Sequence, residues 1–379
     1  MNTTKARSIR RIGMAAASVV AAVTMIGISS GSALAAPRAE DRGRGAPPSK
    51  AVSQAEQARG REVPNERVER EAKPLPTPAQ HAQARRDAAP QEQAGPTERV
   101  EGAAPAKAPS GNTLSGTASA GNDQPTSSSG ASQNSAWGGA YWTNPNLQVG
   151  RLFFDTQPGA GERWSWCSAT AVNSENKSLV LTAGHCVFRP DPDGDGRITG
   201  NGFWYEHFRF CPGYEYGCRM GTWHYRQVST TWSWHGGVGG SYDFRDDVAV
   251  LLVSPNASGN LVNYVGGHGI SFNEPTNLYR HSFGYPATDS RWPAYSYSGE
   301  DLIHCPNYSY NDGTYAGTMW MSCTMTGGSS GGPWLTYVGS NWLGYVNSVN
   351  SHKPYGGSWM SGPYFDSQES SLFNYWRNR

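Results

Sequence analysis

From residue 137 onward, short apolar runs alternate with clusters of Gly, Asn, Asp and Pro. Runs of this length between turn formers mark β-strands. The pattern predicts strands over 147–154, 167–172, 179–182, 247–253 and 342–349. After Asp247 the fourth of these reads Val-Ala-Val-Leu-Leu-Val, apolar on both faces, which predicts a buried strand. Only 370–379 reads as a helix. Strands without long intervening helices argue against a parallel α/β sheet. The expected class is all-β with a short C-terminal helix.

The chain before residue 137 has a different texture. Every Trp, Tyr, Phe and Cys lies at or after Trp137, so 1–136 lacks the side chains that dominate core burial. Residues 1–35 read as a secretory signal peptide. Lys5, Arg7, Arg10 and Arg11 precede an apolar run over 12–28, and Ala33-Leu34-Ala35 offers a small-x-small cleavage site. A membrane anchor is the alternative, but the run is short for a span and Pro, Arg and Glu follow it directly. Residues 36–136 are rich in Ala, Pro, Gln, Glu and Arg, then in Ser, Gly and Thr. Such a stretch cannot bury enough to offset its ordering entropy. It predicts a disordered pro-segment or linker, with a brief helix at 66–71 and a regulatory, inhibitory role as the alternative use. Residues 137–379 are then one domain, long enough for a joint core.

Composition narrows the partners. The 379 residues carry a formal net charge of +1, which argues for neither nucleic acid nor an acidic substrate. Six cysteines, an even number behind a signal peptide, predict three disulfides in an oxidising compartment. The protein is expected to be secreted, free of the membrane once the signal is removed, and monomeric.

The chemistry centres on Gly327-Gly328-Ser329-Ser330-Gly331-Gly332-Pro333-Trp334. A serine between glycines can sit on a sharp turn, with room for a substrate carbonyl to approach backbone N–H groups. A serine hydroxyl needs a base and an orienting acid to become a nucleophile. Without them the octet reads equally well as a surface turn. The base candidate is His185 in Leu181-Thr182-Ala183-Gly184-His185-Cys186, at the end of a buried strand. Cys167 lies on the preceding strand, and a hairpin-like pairing would set it beside Cys186 and pin the histidine loop. The acid candidates are Asp243, Asp246 and Asp247. Asp247 directly precedes the apolar run, so it is the one expected to enter the interior and need a partner. The elbow of α/β-hydrolases also fits Gly328-x-Ser330-x-Gly332, but it requires an acid and then a histidine afterwards. Only His352 follows, with no Asp or Glu between, so that reading has no triad.

Thr182-Ala183-Gly184-His185-Cys186, Asp247-Val248-Ala249-Val250 and Gly328-Ser329-Ser330-Gly331-Gly332-Pro333 resemble the three signature stretches of the chymotrypsin-like serine peptidases, in that family's order. The resemblance spans about 145–376 and is closest to the secreted bacterial branch that includes the glutamyl endopeptidases. Val149-Gly150-Arg151-Leu152, Cys211-Pro212-Gly213-Tyr214 and Gly284-Tyr285-Pro286 add to it. It implies two antiparallel six-stranded β-barrels with the active site between them. It also implies a triad of His185, Asp247 and Ser330, an oxyanion hole at the N–H groups of Gly328 and Ser330, and a protein or peptide substrate. No cofactor is required.

Departures from the family pattern shape the remaining expectations. Ser329 stands where many members have an Asp that pairs with a new N-terminus, so activation of the expected zymogen by such an ion pair is not expected. Thr324 matches the floor of the primary pocket, which argues against Lys or Arg at the cleaved bond. Val346, in Val346-Asn347-Ser348, matches the pocket strand where glutamyl endopeptidases place a histidine, which argues against Glu. A neutral side chain is expected. Cys211 and Cys218 flank a tight loop, and Cys305 and Cys323 precede the nucleophile, although six cysteines allow 15 connectivities. Asp191, Asp193 and Asp195, followed by Gly196, carry the first half of a calcium-loop pattern, but Gly202 replaces its closing Glu. A structural calcium there and a solvated acidic hairpin are the two readings. A peptidase-like binding protein is the rival class, and the intact set of three triad residues argues against it.

Overall fold

A computed structural model describes residues 45–76, 95–106, 134–159, 161–191, 202–236, 243–312, 317–354 and 356–379. The expected signal peptide, Asp193 and Asp195 lie outside these residues. Before Trp137 the chain forms β1 (Ser49–Ala51), α1 (Gln54–Glu62), α2 (Asn65–Glu71), β2 (Lys73–Pro74), β3 (Glu98–Val100) and β4 (Ser135–Ala136). The first half of the domain contains β5 (Val149–Asp155), β6 (Trp164–Val172), β7 (Leu179–Thr182), β8 (Phe188–Arg189), β9 (Phe203–Trp204), β10 (Glu206–Pro212) and β11 (Trp223–Thr230). It ends with α3 (Trp232–Gly236), β12 (Ala249–Val253) and α4 (Leu261–Val265). The second half contains β13 (Gly269–Phe272), β14 (Tyr279–Gly284), β15 (Ile303–Asn311), β16 (Thr318–Ser322), β17 (Pro333–Thr336), β18 (Tyr345–Val349), β19 (Trp359–Pro363) and α5 (Ser367–Trp376).

The first half closes on itself. Strands β10, β5, β6, β7, β12 and β11 pair in that order, and β11 pairs back to β10. Every pair in this ring is antiparallel, which gives the expected six-stranded barrel. Closure leaves only short edge stretches, on β11 and β6, and β1 and β2 pair with them. Strands β5, β6, β7 and β12 are buried along their whole length, so their side chains face either the barrel interior or a packed outer layer.

The second half is a large sheet in the order β19-β16-β15-β14-β17-β18-β13. It differs from the expected six-stranded antiparallel barrel: it has seven strands, no pairing among the described residues joins β19 to β13, and one pairing is parallel. Gly269 and Ile270 of β13 pair in parallel with Tyr345 and Val346 of β18. The helix α5 starts at Ser367, ahead of the expected 370, because Asp366 caps it. The Asp366 carboxylate accepts from Gln368 N–H at 2.9 Å while Glu369 accepts from Asp366 N–H at 2.9 Å, a reciprocal capping box.

The described residues before Trp137 build no core of their own, in keeping with the segment's composition. Where the segment is described, it borrows the domain's. β1 pairs with β11, β3 with β13 and β4 with β15, so both halves gain strands from it. Val68 of α2 is fully buried and, with Val52, joins the barrel's core. The expected helix at 66–71 is α2. Its stability comes from this docking, since an isolated helix of one or two turns is not stable in water.

Candidate active site

His185 sits in a short 3-10 turn, Gly184–Cys186, directly after β7. The disulfide Cys167–Cys186 ties this turn to β6, as the hairpin pairing predicts. Cys211–Cys218 and Cys305–Cys323 are the other two bridges. Asp247 follows the turn Phe244–Asp246 and is fully buried. It holds the histidine at two points. Its Oδ1 accepts the backbone N–H of His185 at 2.7 Å, and its Oδ2 lies 2.7 Å from the ring Nδ1. The carboxylate fixes the proton of the neutral ring on Nδ1, which leaves Nε2 as the basic nitrogen. Nε2 is buried and has no hydrogen-bond partner among the described residues.

A third donor completes the acid's environment. Ser351 Oγ–H donates to Asp247 Oδ2 at 2.6 Å. Burial opposes ionisation of Asp247, but the His185 ring, its two contacts and the Ser351 hydroxyl outweigh it and hold the carboxyl below the usual aspartate range. Gly184 makes room for this packing. A Cβ there would come within 2.7 Å of the Trp234 ring and 3.0 Å of Asp247 Oδ1.

The nucleophile loop is held mainly by backbone. Ser330 is fully buried, and its carbonyl accepts the N–H of Ser168 in β6 at 2.8 Å. Gly331 N–H donates to Asn350 O at 2.7 Å, and Asn350 N–H donates to Gly332 O at 2.8 Å. The Asn350 amide donates to Ser329 O and Phe283 O, both at 3.1 Å. Its Oδ1 accepts from Ser282 Oγ and Trp334 Nε1. Gly331 has φ +79° and presses on the end of β7, where an added Cβ would meet Thr182 Oγ1 at 2.0 Å. The loop of Ser330 is therefore stacked on the strand that presents His185. Gly328 has φ +93°, and its carbonyl accepts from Ser168 Oγ at 2.9 Å. Its N–H points at a carbonyl of the N-terminal segment, Leu75 O, at 3.0 Å. Ser329 bonds back within the loop to Thr326 O, at 2.7 Å from its hydroxyl.

The expected pocket residues separate. Thr324 Oγ1 bonds Tyr297 OH at 2.6 Å and also accepts from Asn134. Val346 is buried opposite Leu335, Asn347 Oδ1 accepts from the buried Arg280, and Ser348 Oγ donates to Pro363 O at 2.8 Å. All three are thus committed to internal packing within the sheet. The segment that reaches Asp247 begins at Ser351, and Lys353 lies two residues on. Lys353 Nζ donates to Met325 O at 3.0 Å and lies about 5 Å from the Trp292 and Tyr295 rings. Burial lowers this amine to about 7. Burial likewise lowers His352 to about 3, so its ring is neutral beside Phe244. The sequence singles out neither Ser351, Asn350 nor Lys353. The only signal is a run of polar residues, 350–353, that continues past a buried strand. Of the acidic loop, Asp191 is described and buried.

A closed antiparallel barrel supplies a carboxylate-bound histidine, and the adjoining sheet supplies a serine among glycines. A serine hydrolase needs side chains of these kinds. Two solved structures agree. Protease Anisep from Arthrobacter nicotinovorans matches at 31% identity and TM-score 0.52, over 64% of this chain and 98% of its own. A thermostable serine protease, AL20, from an extremophilic microorganism matches at 33% identity and TM-score 0.51, over 61% and 97%. The chain belongs to the chymotrypsin-like serine peptidases. No family model matches it, and no curated protein does. Among the described residues, no helix is long and apolar enough to cross a membrane.

Proposed function

We propose that the protein is a secreted serine endopeptidase that works through Ser330, His185 and Asp247 and an acyl-enzyme. Asp247 holds the His185 ring with Nε2 free. Nε2 takes the hydroxyl proton of Ser330 as its Oγ attacks the peptide carbonyl, and the carbonyl π electrons move onto oxygen. The N–H groups of Gly328 and Ser330 stabilise that oxyanion, each contributing about 3 kcal/mol. His185 passes the proton to the leaving nitrogen, the C–N bond breaks, and water repeats the sequence on the ester. The two-point hold of Asp247 on His185 is the observation that carries this reading. Three disulfides support export to an oxidising compartment.

The reading of specificity rests on Thr324 and on Lys353, whose amine reaches the Met325 carbonyl. Below about pH 7 the Lys353 amine on the carbonyl of Met325 is a cation that repels a second one, which supports exclusion of Lys and Arg from the cleaved position. The same cation favours a second reading of the pocket, an acidic side chain instead of the neutral one that Thr324 suggests. A peptide-library digest separates the two.

The triad is tested with a fluorophosphonate on the secreted protein after limited proteolysis of its N-terminal segment. The label is expected on Ser330, and His185→Ala is expected to lose it while melting at the same temperature. Equal labelling of the His185→Ala protein would overturn the proposal.

A further inference from the structure

The N–H of Gly328 is already in use. Leu75 O accepts it at 3.0 Å, and Leu75 N–H donates to Trp166 O at 2.9 Å. Lys73 and Pro74 pair with Ser165 and Trp166 of β6. Gly327 lies under the same stretch, and a Cβ on it would meet Leu75 O at 3.2 Å and Pro76 Cα at 3.4 Å. A backbone carbonyl therefore sits on the donor that the reaction reserves for its oxyanion. We propose that residues 73–76 are a tethered plug of the active site, and that the chain carrying them is latent until they are displaced. This rests on the reading of Gly328 as an oxyanion donor.

The local sequence suits the task. Pro74 and Pro76 flank Leu75, and neither carries an N–H. Pro76 also keeps Leu75 extended, which holds its carbonyl outward from the strand. The Leu75 N–H that remains is the one spent on Trp166. Besides the β2–β6 ladder, Leu75 thus makes two backbone bonds, and no other N–H is presented along 74–76.

The plug is anchored immediately upstream. α2 ends at Glu71, and Ala72 N–H closes its last turn on Val68 O at 2.8 Å. Val68 is fully buried in the barrel's core. The buried guanidinium of Arg209 donates to Gly60 O, Val63 O and Asn65 Oδ1 at 2.8–3.0 Å, which clamps the α1–α2 junction. Glu69 accepts from Cys218 N–H, and Glu56 accepts from Tyr225 OH. Anchor and plug are one piece of chain, so the plug competes with substrate at the high effective concentration of an intramolecular ligand. No ion pair at a new N-terminus enters this device, which fits the presence of Ser329 beside the nucleophile.

The test uses the full secreted chain with its segment intact and follows the rate of fluorophosphonate labelling. Val68→Asp disrupts the anchor, and Leu75→Pro removes the N–H that binds Trp166. Each is expected to raise the labelling rate by about tenfold or more, the scale of one lost hydrogen bond. Tryptophan-fluorescence melting reports whether the domain stays folded, and Leu75→Pro stands where Val68→Asp fails to fold. Equal labelling of the parent chain and both variants would overturn the plug. So would slow labelling of all three followed by fast labelling after proteolysis, since the block would then lie elsewhere in the segment. Absence of label in every form, proteolysed protein included, would instead remove the triad and the plug with it.

Discussion

The histidine and the nucleophile are held in place by different chemistry. His185 is fixed by side chains: a carboxylate at two points, a serine hydroxyl behind that carboxylate, and a disulfide. Ser330 is fixed by space and main chain. Gly328 and Gly331 on either side have positive φ, and the loop's bonds run through the backbone of Ser168 and through both backbone and amide of Asn350. The first half should therefore fail when one functional group changes. The second should fail when one atom is added.

The largest effect is expected on the histidine side. Asp247→Asn keeps the shape but offers an amide to Nδ1, so the ring loses the tautomer that exposes a basic Nε2. kcat should fall by about 10⁴-fold. Steady-state kinetics on a peptide ester, with melting as a fold control, measure it. A loss under tenfold would mean that Asp247 only packs.

On the nucleophile side the expected effect is on folding. Gly331→Ala forces a Cβ to 2.0 Å from Thr182 Oγ1 and 2.5 Å from Ser168 O, at φ +79°. Backbone stands in the way, so relaxation is costly, about 3 kcal/mol or more. The denaturant midpoint should fall accordingly, and activity should follow the folded fraction. An unchanged midpoint would show that the loop has more room than its contacts indicate.

The smallest effect, counted per pH unit, concerns Lys353. Lys353 is charged in both the folded and unfolded states below about pH 7. Between about 7 and 10 the folded amine is neutral while the unfolded one still holds its proton. Stability should therefore rise with pH across that window, by at most one proton's worth, about 1.4 kcal/mol per pH unit. Lys353→Met should flatten the slope. Parallel curves for the two proteins would mean that the amine titrates normally.

Much of this was legible in the sequence, and for physical reasons. Strands announced themselves through short apolar runs, so β7 matches its expected bounds and β5, β6 and β12 lie within a few residues of theirs. The triad candidates lie in local motifs whose residue types their chemistry demands, whereas the sequence left the pairing of six cysteines open. Those motifs determined the family and the all-β class. Other features depend on contacts between distant positions and leave little local trace. Ser351 is recognisable only by its contact with Asp247, 104 positions away. Asn350 matters because its amide spans Ser329 and Phe283. Lys353 looks like a surface residue until the fold buries it. The parallel pairing of β13 with β18 joins positions about 75 residues apart and is not written in either strand's pattern. Composition showed that the N-terminal segment cannot fold alone, since it lacks large apolar side chains. Only the tertiary structure decided that it folds on its own domain, because the core that orders Val68 and the N–H that receives Leu75 both belong to residues far along the chain.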